Sequence, residues 1–413
     1  MTTASLSDRV KRDEADILGV CRDLVRIPSE NPPGDTTKVF AYARQLLERW
    51  GVPFRLVEPA PGRQNLIATW DSGRPGRHLV FNGHLDVFPA GPRALWTHDP
   101  YAGHVEGGRL YGRGTTDMKA GVTASLFAFR YLREAEAGLA GKATVTLVCD
   151  EEDFAEHGAR HLVAHYPEVL GDALINGEPS SPAIMRIGDK GLVWAEATFR
   201  TKGGHAAYAH VSDNAIHRAM RFLAEIKAIE KWKSPLPGWL ARHLTTVGRV
   251  MDRAVGKGAT AVARRYVVSL GMISGGLKVN MIAPECRVEI DTRIPIGGRV
   301  KPVVAVLRQA AKKCGGELTI VNSTEPSVSS WDDPLFRIGK RVLERVAGRK
   351  SVFGIGLGCN DARLWRYAGV PALIYGPTPH GMGAPDEYVE VADLLRATTV
   401  HSDTALEYLA RQR

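Results

Sequence analysis

Four stretches of the chain place side chains able to bind metal where an apolar run gives out: NGHLDVFP at 82–89, GRGTTDMKAG at 112–121, CDEED at 149–153 and INGEPS at 175–180. His84 and Asp86 stand two apart at a strand end, so their side chains share a side, and the carboxylate can hold the imidazole nitrogen that is not on a metal. Asp117 follows a glycine-rich turn, where missing Cβ atoms let backbone come close to a charged centre. Glu151 and Glu152 are adjacent and face different ways, so one can ligate metal while the other takes a proton from water. Glu178 ends the fourth run. A lone strand-end histidine is as readily a surface or core residue, and an acidic run is usually just solvated. Their joint occurrence at several strand ends is what points to a divalent cation. Oxygen and nitrogen ligands without thiolate suit zinc, manganese or cobalt. Such an ion brings the pKa of a water towards about 7 and polarises a carbonyl, so the expected reaction is hydrolysis with a carboxylate as general base.

For these groups to meet, the apolar runs must be strands whose carboxyl ends share one edge of a sheet. NLIATW (65–70), HLVFNGHLDV (78–87), ATVTLVCD (143–150) and DALINGEPS (172–180) read as strands or strand ends, with helices at 13–27, 36–50 and Ala120–Leu132. This alternation predicts an α/β catalytic domain with a doubly wound mixed sheet. From about Lys190 the pattern changes to the strand GLVWAEATFR, a helix from Asn214 to Trp232, the alternating strand CRVEIDTRI, a helix from Val300 to Lys313 and the strand ELTIVN. That order predicts an inserted α+β domain at 188–324, with a four-stranded antiparallel sheet and two helices. The catalytic domain then comprises 1–187 and 325–413, resuming with a helix at 333–347, the strand PALIYG and a helix from Val391 to Ala410. The basic stretch 233–268, with Pro235, Pro237 and Trp239, reads first as a solvated excursion; a helical cap over the site or a subunit contact is the alternative.

Length and composition fit two soluble globular domains: 413 residues, 44% of them apolar. The N-terminus resembles no secretory leader and no apolar run is long enough to span a membrane, so a cytoplasmic protein is expected. Five scattered cysteines without a CxxC pair argue against a disulfide framework and a thiolate zinc site. The net charge of +9 is spread over helices without an aromatic stacking platform, which excludes nucleic acid as the expected partner and leaves a bias towards anionic small substrates. His157, His161 and His165 fall on one helical face away from the strand ends and read as solvated; His210 and His217 read as structural.

The motifs NGHLDVFP, YGRGTTDMKAG, CDEED, INGEPS and KGGHAAYAHVSDNAI, in this order and nearly end to end, resemble the dinuclear-zinc metallopeptidases and deacylases that include succinyl-diaminopimelate desuccinylase, acetylornithine deacetylase and aminoacylase. The resemblance implies that His84 and Glu178 bind one metal, Asp117 bridges two and Glu152 serves the other. It implies further that Asp86 orients His84 and that Glu151 is the general base. The inserted domain becomes a lid and dimerisation domain whose His205 reaches across a homodimer to stabilise the oxyanion. Asn280, Arg293 and Arg363 take positions that read a substrate carboxylate. One motif departs: in GPTPHGMGAPDEYV, Gly383 stands where the family has its last metal-binding histidine, four residues before the Glu of the EY pair. Three arrangements follow. His380 fills the place through a rearranged glycine-rich loop; or a single ion remains on His84, Asp117 and Glu178; or catalysis is lost and only binding persists. The resemblance implies cleavage of an amide C–N bond in a small carboxylate-bearing substrate, as in an N-acyl amino acid deacylase or dipeptidase. The altered last motif and the long insertion keep open hydrolytic deamination of an aromatic amino acid, as in a nitroanthranilate aminohydrolase.

Overall fold

The computed structural model describes residues 3–135, 138–233 and 235–410, so Ser234 of the basic stretch lies outside them. The chain packs into two compact units: Met1–Ile187 with Ser329–Gly354 and Asn360–Arg413, and Gly188–Val328 with Ile355–Cys359.

The first unit is built on a mixed sheet. Its strands are β1 (Arg55–Ala60), β2 (Arg63–Asp71), β3 (His78–His84), then, beyond the small strands β4 (His104–Glu106) and β5 (Arg109–Tyr111), β6 (Lys142–Val148), β7 (Ala173–Asn176) and β8 (Ile184–Asp189). In the second unit follow β9 (Gly191–Arg200), β10 (Gly204–His205), β11 (Val267–Gly275), β12 (Met281–Ile282), β13 (Glu285–Ile294), β14 (Gly316–Thr324) and β15 (Ser327–Val328); β16 (Val352–Gly356), β17 (Ala372–Ile374) and β18 (Tyr388–Glu390) complete the series. The sheet order is β1-β2-β6-β3-β7-β17-β8-β15, with β16 also on β8. Its centre is parallel: β6, β3, β7 and β17 run the same way, while β1, β2 and β8 are antiparallel to their neighbours. Those four strands are buried along nearly their whole length, because both faces of the sheet are covered and successive side chains are shielded on either side. Their carboxyl ends therefore deliver residues 84, 148, 176 and 374 to one edge. The helices Ala120–Glu134 and Val391–Leu409 pack on one another and are buried on most of their surface.

Backbone closeness at that edge is set by glycine. A Cβ at Gly121 would lie 1.9 Å from the carbonyl oxygen of Gly177, and one at Gly376 would lie 2.2 Å from the same atom, so three segments meet there main chain to main chain.

The second unit is a four-stranded antiparallel sheet, order β11-β13-β9-β14, backed by the helices Ala215–Ile226 and Val300–Lys313, whose Phe222, Ile226, Val303 and Leu307 pack on Phe199, Val288 and Ile290. The basic stretch is not a solvated excursion. It forms the helix Gly238–Val255 and the short helix Ala259–Ala263, with Leu240, Leu244, Val247 and Met251 buried at helical spacing. Pro237 immediately precedes the first helical turn, where a missing N–H costs nothing. Past it runs β11, an edge strand whose Leu270, Met272 and Ile273 are 43%, 62% and 50% exposed. Among the described residues no helix is long and apolar enough to cross a membrane.

Candidate metal centre

His84, the last residue of β3, is buried, and its Nδ1 lies 2.8 Å from the backbone oxygen of Asp86 and 3.4 Å from the Asp86 carboxylate. A carbonyl only accepts, so Nδ1 carries a proton, and Nε2 faces Asp117 Oδ1 at 3.2 Å and Glu178 Oε1 at 3.4 Å, the edge a metal would take. Asp86 is an organiser on both sides. Its carboxylate accepts from the backbone N–H groups of Glu151 (3.2 Å) and Glu152 (3.1 Å) and from Asn31 Nδ2 (2.9 Å), which folds the acidic run into a turn facing the imidazole.

Asp117 leaves a turn that begins at Gly114, in the left-handed region at φ 80°, and is itself extended. That turn is pinned by Glu387, whose carboxylate accepts from Thr116 N (2.9 Å) and Thr116 Oγ1 (3.0 Å) and pairs with Arg113 Nη1 at 2.5 Å. Glu178 hangs from the glycine contact of Gly177 and takes an N–H bond to Asn176 Oδ1.

Two overlapping groups offer ligand atoms mutually within 4.8 Å: His84, Asp117 and Glu152; and His84, Glu151 and Glu178. The electrostatics identify what belongs among them. Burial raises the pKa of Asp117, and Glu178 raises it further; burial and then Asp361 lift Glu151 well above the usual range; burial and then Asp117 do the same to Glu152. Burial would lower His84, but Asp117, Asp86 and Glu178 outweigh it and hold the ring well above its ordinary value. Glu152 Oε1 is buried without a hydrogen-bond partner. Carboxylates crowded out of water around one imidazole lack positive charge, and the donor set fits a divalent cation that would supply it.

Arg363 is enclosed rather than open to a ligand: its Nη1 is 3.8 Å from both Glu151 and Asp361, and Nη2 reaches the Phe154 carbonyl at 3.5 Å. His380 is not brought to the cluster. Gly381 and Gly383, both at positive φ, turn the loop so that the His380 ring lies flat on Tyr388, centroids 4.5 Å apart, and belongs to neither ligand group. The Gly383 carbonyl accepts instead from Arg113 Nη2 at 3.1 Å.

In the second unit, His205 is exposed on β10 and its Nδ1 accepts from Ala207 N, leaving Nε2 as the nitrogen that can donate. Asn280 stands beside it, its carbonyl accepting from Ala206 N at 3.0 Å. Arg293 does not join them. It pairs with Asp291 at 2.8 Å at the far end of β13, opposite Leu192, whereas β10 and β12 adjoin the Glu285 end, about 27 Å away along the strand. Three residues near the cluster were not singled out from sequence: Glu387, Asp361, whose pKa burial pushes up to about 7, and Arg186, whose Nη2 is 3.5 Å from Glu178. Only Glu387 carried a signal, in its position within the EY pair.

A parallel-centred α/β sheet with a histidine and carboxylates converging at its carboxyl edge is the class of fold and site that holds a divalent metal ion. The profile of peptidase family M20/M25/M40 matches residues 80–407, and the chain belongs to that family. It is 30% identical over 406 residues to a succinyl-diaminopimelate desuccinylase of Methylocella silvestris (94% of this chain, 97% of the relative) and 32% identical over 339 residues to one of Xanthomonas campestris pv. campestris (80% and 83%). In fold it is similar to the M20 family metallo-carboxypeptidase Sso-CP2 of Sulfolobus solfataricus, with TM-score 0.83, 18% identity and coverage of 95% and 99%. It is likewise similar to human carnosine dipeptidase 1, with TM-score 0.81, 16% identity and 98% of each chain covered.

Proposed function

We propose that the chain hydrolyses the amide bond of a small N-acyl amino acid carrying at least one further carboxylate, the N-succinyl class being the first to assay. The observation that carries this reading is Glu151, a buried carboxylate of raised pKa set within one ligand group beside Glu178 and His84. The relatives of 30% identity and above support the N-acyl class, since those named are desuccinylases; the dipeptidase likeness is one of fold.

His84, Asp117, Glu152 and Glu178 would hold one or two divalent ions of zinc, manganese or cobalt. When bound, such an ion supplies an acidified water and positive charge for the scissile carbonyl oxygen. Glu151 accepts the proton of that water and gives it to the departing amine nitrogen as the C–N bond breaks. Arg363 is a positioning residue that holds Glu151 from the protein side and is itself held by Asp361. His205 donates from Nε2 to the oxyanion in a homodimer, with Asn280 beside it reading the substrate. Because Gly383 brings no imidazole, the Glu152 end of the site has no histidine of its own beyond the His84 it shares with Glu178, and an ion there would be the more weakly held of the two.

The test is turnover by the metal-loaded protein of N-succinyl and N-acetyl amino acids, dipeptides and aromatic amino acids, each with Glu151→Gln as control. Release of free amine from N-acyl substrates, lost in the variant, is expected. Release of ammonia from aromatic amino acids with no N-acyl cleavage would overturn the reading.

A further inference from the structure

Outside the carboxylate-rich centre, one other group of ligating side chains converges among the described residues: His98, in the segment before β4, with His104 and Glu106 on β4. The two imidazoles stack with centroids 4.0 Å apart, and Nε2 of His104 is buried without a hydrogen-bond partner. Ligands held at about 2.1 Å by a tetrahedral ion stand about 3.4 Å apart. Glu106 Oε2 is already 3.6 Å from His104 Nε2 and 3.9 Å from His98 Nε2, and the three residues offer ligand atoms within 4.8 Å of one another.

We propose that His98, His104 and Glu106 form a separate binding site for a divalent transition ion of the zinc class, with water at the fourth position. Two imidazoles and one carboxylate select zinc, nickel or copper over magnesium or calcium. The ion's work there is mechanical. The segment carrying His98 already grips Asp386 through Thr97 N (2.7 Å) and Thr97 Oγ1 (2.8 Å), and Asp386 precedes the buried anchor Glu387. Clamping His98 to β4 fixes that segment at a second point and raises the stability of the loaded protein.

The test uses the full chain, stripped of metal and equilibrated with zinc at defined free concentration, with zinc per chain counted by elemental analysis and affinity read by calorimetric titration. The double variant His98→Ala/His104→Ala is expected to bind one zinc fewer per chain while keeping the wild-type far-UV spectrum. The exposed Glu106→Gln is expected to weaken that one ion at least tenfold. His84→Ala, which removes the shared imidazole of the main centre, is expected to retain it, so failure of the two sites is distinguishable. An unchanged zinc count in the double variant overturns the proposal. Should that variant fail to fold, unchanged zinc affinity in Glu106→Gln overturns it instead.

Discussion

Glu151 and Glu387 are both buried glutamates, yet their surroundings give them opposite work. Glu387 is spent on structure: Arg113 and the Thr116 N–H and hydroxyl occupy its oxygens. Arg113→Ala leaves that carboxylate buried and unpaired, so unfolding in urea should show a loss of about 3–5 kcal/mol. Glu151 has only the loose approach of Arg363 against it, and burial with Asp361 keeps its proton affinity high. Glu151→Gln should lower kcat about 10²–10⁴-fold with bound metal unchanged; a variant of full activity would remove Glu151 as the base. The residues of the two ligand groups were legible as candidates because each sits in a motif, all but Asp117 at the end of an apolar strand and Asp117 after a glycine-rich turn. Asp361 and Arg186 were not, since a single charged residue in a loop or short strand has no periodic signature. Arg363 was legible as an arginine near the site, but its burial against Glu151 depends on packing that sequence does not display.

Among the elements, the strands that end at the site were the most readable, their boundaries falling within a few residues of the apolar runs. HLVFNGHLDV ends as a strand at His84 rather than Val87, because after the last ladder bond, Leu85 N to the Val148 carbonyl, the chain leaves β6 and Val87 N bonds to the Ser29 carbonyl. The helix Gly238–Val255 was hidden by the prolines before it and by its basic residues, although its buried stripe has helical spacing. β11 was hidden for the opposite reason, its apolar side chains being exposed without alternation. Two predictions belong at this scale. Gly121→Ala drives a Cβ into the Gly177 backbone, so both stability, by about 1–3 kcal/mol, and metal retention at the adjoining Glu178 should fall; dialysis against chelator checks the second. His401, in the helix Val391–Leu409, donates from Nε2 to the Tyr375 carbonyl and accepts at Nδ1 from Ser125, and burial pushes its pKa from 6.5 down to about 4. The unfolded chain therefore takes up that proton first, and stability falls as pH drops from 6.5 to 4, by about 3 kcal/mol, then levels off. Urea midpoints across this range should slope less in His401→Gln than in the wild type.

For the molecule as a whole, the division into an α/β unit and an inserted α+β unit follows from the change in strand and helix order near Lys190, and the structure divides the chain close to there, at Ile187 and Gly188. The homodimer that the family resemblance implies has no comparable signal in composition or periodicity. The uncovered Leu270, Met272 and Ile273 of β11 give the second unit an apolar edge of the kind that pairs with another copy. Met272→Asp should therefore yield a monomer in analytical ultracentrifugation, with activity reduced at least tenfold and metal content unchanged. A wild-type protein that is already a fully active monomer would refute the role given to His205.

The meeting of Gly121, Gly177 and Gly376 has a further consequence. The cage for the cation is dimensioned by main chain in touch with main chain, so it owes little to the side chains that meet the substrate. Residues that meet the substrate are therefore free to drift, and descendants of this chain can acquire new substrates one substitution at a time while the backbone frame of the site stays intact.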